Sequence, residues 1–193
     1  MTTQAVLQKY GTQLLFSDAT DFSGGDGPPA TAANSLIIGT PTVVQIDCTD
    51  LAAAAGRQSD KTATLVHTGT AWPIQWVLGA CVEHVATPTA GETVEFYWNA
   101  SPSATAGTGN SGGCTGADGA FTVAGKSQLI LIGVLVLQAA TININADVGR
   151  LWMPHLYGSL VVVNVCPTKA MHSAMDEQHF TLTPIINDIQ AAA

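Results

Sequence analysis

Alternation of apolar and polar residues is the main structural signal along this chain. It is clearest at Glu92–Asn99, where Val94, Phe96 and Trp98 would face one side and the residues between them the other. A period of two residues predicts a β-strand with one buried face. Comparable segments lie at residues 35–38, 42–47, 62–67, 72–85, 121–123, 128–137, 141–145, 159–165 and 179–183.

The number of these segments, and the turn residues between them, predict an all-β protein. About ten short strands separated by glycine- and serine-rich loops are typical of an antiparallel β-sandwich, and at this length we expect the jelly-roll type. A strong loop signal at Ser23–Pro29 precedes the first strands of the sandwich. We therefore divide the chain into an N-terminal arm, residues 1–34, and a sandwich domain, residues 35–193.

The most apolar stretch is Leu129–Leu137, with the sequence LILIGVLVL. It is much shorter than the roughly 20 residues that a helix needs to cross a bilayer, and we expect no membrane contact. A run of this length that is rich in Ile, Val and Leu predicts a strand buried on both faces.

Charged residues are scarce: Asp, Glu, Lys and Arg make up 10% of the chain, whereas an average soluble domain has about 25%. The net charge is −8, from 6 basic and 14 acidic residues. A nucleic-acid-binding surface requires clustered Lys and Arg, so we expect no nucleic-acid partner. So little surface charge is typical of a protein that faces other proteins, and we expect a component of an assembly.

One connection is unusually long. Residues 100–119 read ASPSATAGTGNSGGCTGADG, with six glycines and a single charged residue, Asp118. Loops of about 20 residues without regular structure are uncommon in compact domains. We predict that a partner protein holds this loop, with Ser103 and Thr105 among the contacts.

Aromatic and apolar residues of the arm and the loops complete a candidate interface. Trp72 and Trp152 each lie within two residues of a proline, whereas Trp76 and Trp98 lie in apolar strands and are expected in the core. The candidate interface residues are Tyr10, Leu14, Phe16, Phe22, Trp72, Ser103, Thr105 and Trp152.

The segment Gly109–Gly113 (GNSGG) imitates the nucleophile loop of trypsin-like proteases. A catalytic triad needs a histidine within hydrogen-bond reach of Ser111 and an acid that orients this histidine. The upstream candidates are His67 and His84, and His84 is too close in sequence for the double-barrel scaffold of such proteases. We interpret the segment as a glycine-rich loop and expect no enzymatic activity.

Two polar clusters are weak candidates for a cation site. Asp18, Asp21 and Asp26 lack the alternating spacing of an EF-hand loop. The segment His172–His179 contains two histidines, Asp176 and Glu177, but the histidine spacing does not place both rings on one face of a strand. We predict solvated turn carboxylates and a hydrogen-bonded loop, with no metal and no cofactor.

Four cysteines, at positions 48, 81, 114 and 166, form no Cys-x-x-Cys pair, so a zinc site has no support. The segment Met1–Gln4 has neither the basic nor the apolar region of a secretory signal. We expect free thiols in a reducing cytoplasm.

A series of short motifs runs through most of residues 10–190. In chain order they are Tyr10-Gly11-Thr12, Leu15-Phe16-Ser17, Ala55-Gly56-Arg57-Gln58-Ser59, Thr87-Pro88-Thr89-Ala90-Gly91, Val94-Glu95-Phe96-Tyr97-Trp98, Ser101-Pro102, Gly112-Gly113, Gly116-Ala117-Asp118, Gln128-Leu129, Ile132-Gly133, Tyr157-Gly158-Ser159-Leu160, His172-Ser173 and Phe180-Thr181-Leu182-Thr183-Pro184. Their order resembles that of small structural proteins encoded among the virion genes of tailed bacteriophages.

This resemblance implies a non-enzymatic virion component that is assembled in the cytoplasm of a host bacterium. The leading hypothesis is a capsid decoration (cement) protein, a homotrimer that binds across subunits of the major capsid protein. The alternative is a tail-fibre, spike or neck component, with a receptor- or glycan-binding module in which Trp72 or Trp152 lines the sugar site.

Overall fold

The computed structural model describes residues 6–18, 35–63, 65, 73, 75–152, 155–173 and 178–189. Almost all regular structure in these residues is β, so the predicted all-β class is confirmed. A short 3-10 helix spans Val123–Gln128, and no helix of the described residues is long and apolar enough to cross a membrane. The strands are β1 (Val6–Tyr10), β2 (Leu14–Ser17), β3 (Thr42–Gln45), β4 (Gly56–Gln58), β5 (Gln75–Glu83), β6 (Thr93–Ser101), β7 (Gly119–Phe121), β8 (Ile130–Val136), β9 (Ile142–Leu151), β10 (Tyr157–Asn164) and β11 (His179–Ile189).

These strands belong to one mixed sheet. Its order is β3-β2-β11-β5-β9-β8-β6-β10-β4-β7, and β1 pairs with the last residues of β11. The ladder between β2 and β3 is parallel, and the other described ladders are antiparallel. The jelly-roll arrangement itself stays a prediction.

The sheet curls around one hydrophobic core, to which strands from both ends of the order contribute. Phe16 of β2 packs edge-on against Trp98 of β6, with 6.4 Å between the ring centroids. Phe96 of β6 meets Phe180 of β11 at 5.2 Å. Each of these rings is fully buried, and such burial stabilises the fold by about 1.5–3 kcal/mol per large side chain. The predicted alternation of β6 is confirmed, since Val94, Phe96 and Trp98 all face this core.

Polar groups join the two ends of the strand order and close the curled sheet. At the end of β3, the carbonyl of Gln45 accepts a hydrogen bond of 2.9 Å from the amide of Asp60, just after β4. Immediately before β7, the carboxylate of Asp118 accepts 2.8 Å from Arg57 Nε and 3.2 Å from the amide of Asp47. We call this group of contacts the seam.

The N-terminal strands are integral to the sheet. β2 lies between β3 and β11, and Leu14, Leu15 and Phe16 are buried. Leu14 and Phe16, predicted as interface residues, therefore face the core of this chain, because β2 is an interior strand. Tyr10 is 65% exposed. The domain boundary at residue 34 stays a prediction.

We expect Phe16→Ala to lower the free energy of unfolding by about 3–5 kcal/mol, because it removes a fully buried ring and leaves a cavity. Tyr10→Ala is the matched control, an exposed aromatic ring in the same segment, and should change stability by less than about 0.5 kcal/mol. Urea unfolding measures both, and equal effects would contradict a core role for β2.

A second prediction concerns the seam. Asp118→Ala should cost about 2–3 kcal/mol of unfolding free energy, since it leaves Arg57 and the Asp47 amide without their acceptor. Asp147→Ala removes the carboxylate of the exposed pair Arg150–Asp147 and should cost about 0.5 kcal/mol or less. If urea unfolding gives similar losses of unfolding free energy for both variants, the seam contributes no more to stability than an exposed ion pair.

Candidate interaction surface

β8 and β9 present exposed apolar side chains on the outside of the curled sheet. Leu131 is 54% exposed, Val136 61% and Ile144 42%. We call these three residues and their surroundings the β8–β9 face. Ile132 and Leu135 of β8 are buried in the core. β8 therefore has one buried and one exposed face, and the prediction that Leu129–Leu137 is buried on both faces is wrong.

The contact between β8 and β9 is confined to one point. Their ladder consists of one residue pair, Gly133 with Gly149. A Cβ on Gly149 would collide with the carbonyl oxygen of Ile132, and one on Gly133 would lie 2.8 Å from the carbonyl oxygen of Val148. Only glycine permits so close a crossing. Away from this point no further ladder pair joins the two strands, and β8 pairs with β6 and β9 with β5.

A cleft of about 290 Å³ opens between the two strands. Buried Asn143 fixes its closed end, because its side-chain oxygen accepts 2.6 Å from the Gln138 amide and its nitrogen donates 2.8 Å to the Ala140 carbonyl. The cleft walls are thus set by the loop between the strands. Its lining residues are Leu135, Val136, Gln138, Ile142, Asn143, Ile144 and Asn145.

The β8–β9 face is electrically neutral. Residues 127–146 contain no Asp, Glu, Lys or Arg. The charges that flank this stretch are paired, with Lys126 Nζ 2.7 Å from the Glu95 carboxylate and Arg150 3.1 Å from Asp147. The hydrogen bond to Glu95 raises the pKa of Lys126, which stays charged and paired at neutral pH. Covering this face would bury apolar area without stripping water from a free charge.

The long loop is held by its own chain. Lys61, just after β4, donates hydrogen bonds to one hydroxyl and three carbonyl oxygens of residues 101–108. Asn99 of β6 accepts 2.9 Å from the amide of Ser111, and Cys114 packs in a small cluster with Tyr97. The prediction that a partner is needed to hold the loop is therefore wrong. Contacts of Ser103 and Thr105 with a partner stay a prediction; Thr105 is exposed and Ser103 half-buried.

The remaining predicted interface residues are aromatic. Trp152, directly after β9, is 64% exposed, and Tyr10 is 65% exposed. Phe22 and Trp72 lie outside the described residues. The sequence prediction missed Leu131, Val136 and Ile144; the signal that points to them is the uncharged stretch 127–146, interrupted by Gly133.

The protease-like arrangement is not assembled. Ser111 is exposed on the loop, whereas His84 is fully buried and pairs through its backbone with Met171. Among the described residues no hydrogen bond joins Ser111 to the ring of His84, which lies beside Asn164. His67 lies outside the described residues.

The predicted polar clusters are also dispersed where the structure describes them. His172 Nδ1 lies 3.8 Å from the Glu83 carboxylate, whereas the Nε2 atom of His179 accepts 3.2 Å from the amide of Leu36. Within the described residues no three His, Cys, Asp or Glu side chains are placed to hold a metal ion. Asp18 accepts a hydrogen bond from a glutamine side chain, and positions 21, 26, 176 and 177 lie outside the described residues.

Cys166 and Glu92 form a contact that the sequence did not indicate. The thiol donates to the Glu92 carboxylate, with 2.9 Å between Sγ and oxygen. Burial raises the pKa of the Cys166 thiol, and the hydrogen bond to Glu92 adds to this effect. A thiol kept protonated is a poor nucleophile. The described residues include all four cysteines, which are buried, and no disulfide joins them.

Comparison of this chain with protein-family models, with curated proteins and with solved structures gives no match. The candidate surface rests on its own geometry: an exposed apolar face, the cleft beside it, and a stretch, residues 127–146, without Asp, Glu, Lys or Arg.

His179 makes acid stability testable, because burial lowers the pKa of its imidazole to about 4. The unfolded chain takes up this proton near pH 6.5, whereas the folded chain resists protonation down to about pH 4. The free energy of unfolding therefore has its full value above pH 6.5 and falls by about 3 kcal/mol as the pH drops from about 6.5 to 4. Urea unfolding across this range measures it. His179→Gln keeps an acceptor for the Leu36 amide but cannot titrate, and should reduce the slope; a residual slope is expected from His84, whose pKa burial also lowers, and an unchanged slope would contradict the assignment.

Proposed function

We propose that this chain is a structural protein of a tailed-bacteriophage virion, most specifically a capsid decoration protein that binds across major capsid subunits. The observation that carries the proposal is the β8–β9 face, where Leu131, Val136 and Ile144 are exposed in a stretch without charge. Its role is binding and not catalysis, and its location is the virion, after assembly in the host cytoplasm.

The β8–β9 face has the properties of a protein interface. Uncharged apolar patches on a folded protein mark sites of association, and interface centres are depleted in charge. The cleft beside the face offers a pocket for side chains of a partner. Binding of this kind gains its free energy from buried area and not from ion pairs, so it should persist at high salt.

The topology supports the sandwich part of the proposal. The single pair Gly133–Gly149 divides the strand order into two halves, β3-β2-β11-β5-β9 and β8-β6-β10-β4-β7. The seam joins their far ends, and one core fills the space between them. Two halves that enclose one core are the arrangement of a β-sandwich. Viral shells often use sandwiches of the jelly-roll type.

A homotrimer is the assembly state that we propose. Soluble oligomers usually have closed symmetry, and a protein bound at three-fold positions of a shell would share that symmetry. The partner is then the major capsid protein, whose subunits meet at those positions.

Exposed Trp152 favours a second candidate, a glycan- or receptor-binding component of the tail or neck. An exposed indole can stack on a sugar ring. Trp152→Ala would then abolish binding to host glycans and leave incorporation into the virion unchanged. Imaging of tagged particles separates the candidates, since label on the shell supports decoration and label on the tail or neck supports the alternative.

The test of the leading proposal is incorporation into virions. The double variant Leu131→Gln/Val136→Gln should lower the copy number per particle about tenfold, because hot-spot residues at an interface centre carry most of the binding energy. Quantitative mass spectrometry of purified virions measures it, before and after a high-salt wash.

The matched control is Ile38→Gln/Val85→Gln, which changes two similarly exposed apolar residues outside β8 and β9. It should leave the copy number unchanged. Thermal unfolding checks that both variants are folded. Normal incorporation of the β8 variant, or release of the wild-type protein at moderate salt, would overturn the proposal.

A further inference from the structure

The ammonium group of Lys61 is bound entirely by uncharged oxygens. Within the described residues, Arg57, Lys126 and Arg150 each pair with a carboxylate, whereas no salt bridge to Lys61 is present. We call its four acceptors the Lys61 cage. They are Ser101 Oγ at 2.9 Å and the carbonyl oxygens of Ser103 at 2.9 Å, Thr105 at 2.8 Å and Thr108 at 2.6 Å.

The number of oxygens is what makes this cage resemble a metal-ion site. An ammonium group has three N–H donors, but four oxygens lie within hydrogen-bond distance of Lys61 Nζ. A spherical cation can use every oxygen at once, and rings of backbone carbonyls replace the hydration shell of K⁺ in potassium-selective filters. The absence of a carboxylate favours a monovalent cation over Ca²⁺ or Mg²⁺, which prefer charged ligands.

The loop's own hydrogen bonds support the cage. The Ser103 amide donates 3.2 Å to Ser101 Oγ, and the Thr105 amide donates 3.1 Å to Ser103 Oγ. Gly107, with a φ of 78°, supplies the left-handed backbone that the turn between the last two carbonyls requires. The oxygens are therefore held near one another by the loop as well as by the lysine.

The lysine side chain enters along Gly116. A Cβ at this position would lie 2.7 Å from Lys61 Cε and would push the lysine side chain aside, and the φ of 72° also favours glycine. The backbone amide of Lys61 also donates 3.2 Å to the Gly116 carbonyl. Burial lowers the pKa of Lys61, which is consistent with a site that has no carboxylate.

We propose that residues 101–108 form a binding site for a monovalent cation, and that the Lys61 ammonium is its built-in occupant. The tethered ammonium holds the long loop closed in the way that a bound K⁺ would. Removal of the positive charge, by substitution or by acetylation, vacates the site, and K⁺ or NH₄⁺ from solution then takes its place.

Lys61→Met tests this, because methionine keeps most of the apolar side chain and removes the charge. Limited proteolysis of residues 100–119 is followed in KCl, NH₄Cl and tetramethylammonium chloride at equal ionic strength. In tetramethylammonium, which is too large for the cage, we expect cleavage about tenfold faster than in the wild type. K⁺ or NH₄⁺ should restore most of the protection, and the wild type should respond equally to all three salts.

Lys126→Met is the matched control, a lysine bound by a carboxylate, and its proteolysis should not distinguish the three salts. The proposal is overturned if Lys61→Met is cleaved as slowly as the wild type, or if the three cations act alike on it.

A measurement on the wild type covers the case in which Lys61→Met fails to fold. The Lys61 ammonium should give a ¹H–¹⁵N signal at neutral pH, because its protons are held by the cage and exchange slowly with water, whereas exposed lysines give none. Assignment comes from Lys61→Arg, in which this signal disappears. Rapid exchange of the Lys61 protons would overturn the proposal.

Discussion

The fold depends on the seam, where the two ends of one curled sheet meet. Asp118, just before β7, accepts a hydrogen bond from the amide of Asp47, just after β3, and the amide of Asp60 donates to the carbonyl of Gln45, the last residue of β3. Strand edges left open would be available for pairing with other chains, and an unclosed sheet could not bring strands as far apart in the order as β3 and β10 to one core. Because the sheet is closed, a partner can bind only to its outer surface and loops. β8 and β9 lie in the middle of the strand order, as far along the sheet from the seam as it allows.

The few charged residues are concentrated where the chain contacts itself. Asp47, Arg57, Asp60 and Asp118 serve the seam, and Lys61 organises the long loop. Residues 127–146, which include the β8–β9 face, carry no charge, and the charges that flank this stretch, Lys126 and Asp147, are paired with Glu95 and Arg150. The few charges of this protein are thus distributed unevenly: most of them make contacts within the chain, and one exposed face has none. Such a distribution suits binding through apolar area, which a free charge would oppose by its desolvation.

The sequence predicted local periodicity well and long-range contacts poorly. Val94, Phe96 and Trp98 alternate within one strand, so their shared face follows from the sequence. The bulge in the β6–β8 ladder and the glycine crossing of β8 with β9 bring together residues distant in the chain. The loop at 100–119 was expected to need a partner because its anchor, Lys61, lies about 40 residues upstream. Neither the glycine crossing nor the lysine contact can be predicted from a pattern of neighbouring residues.

The crossing of β8 and β9 connects stability with binding. Leu131 and Val136 belong to one half of the strand order and Ile144 to the other, and between these halves the ladder consists of Gly133 and Gly149 alone. A partner that covers the β8–β9 face would contact both halves at once and so hold them together opposite the seam. Anything that binds only the folded state adds its binding free energy to stability. The proposed partner would therefore strengthen the contact between the two halves, which the backbone joins only through Gly133 and Gly149 at this point.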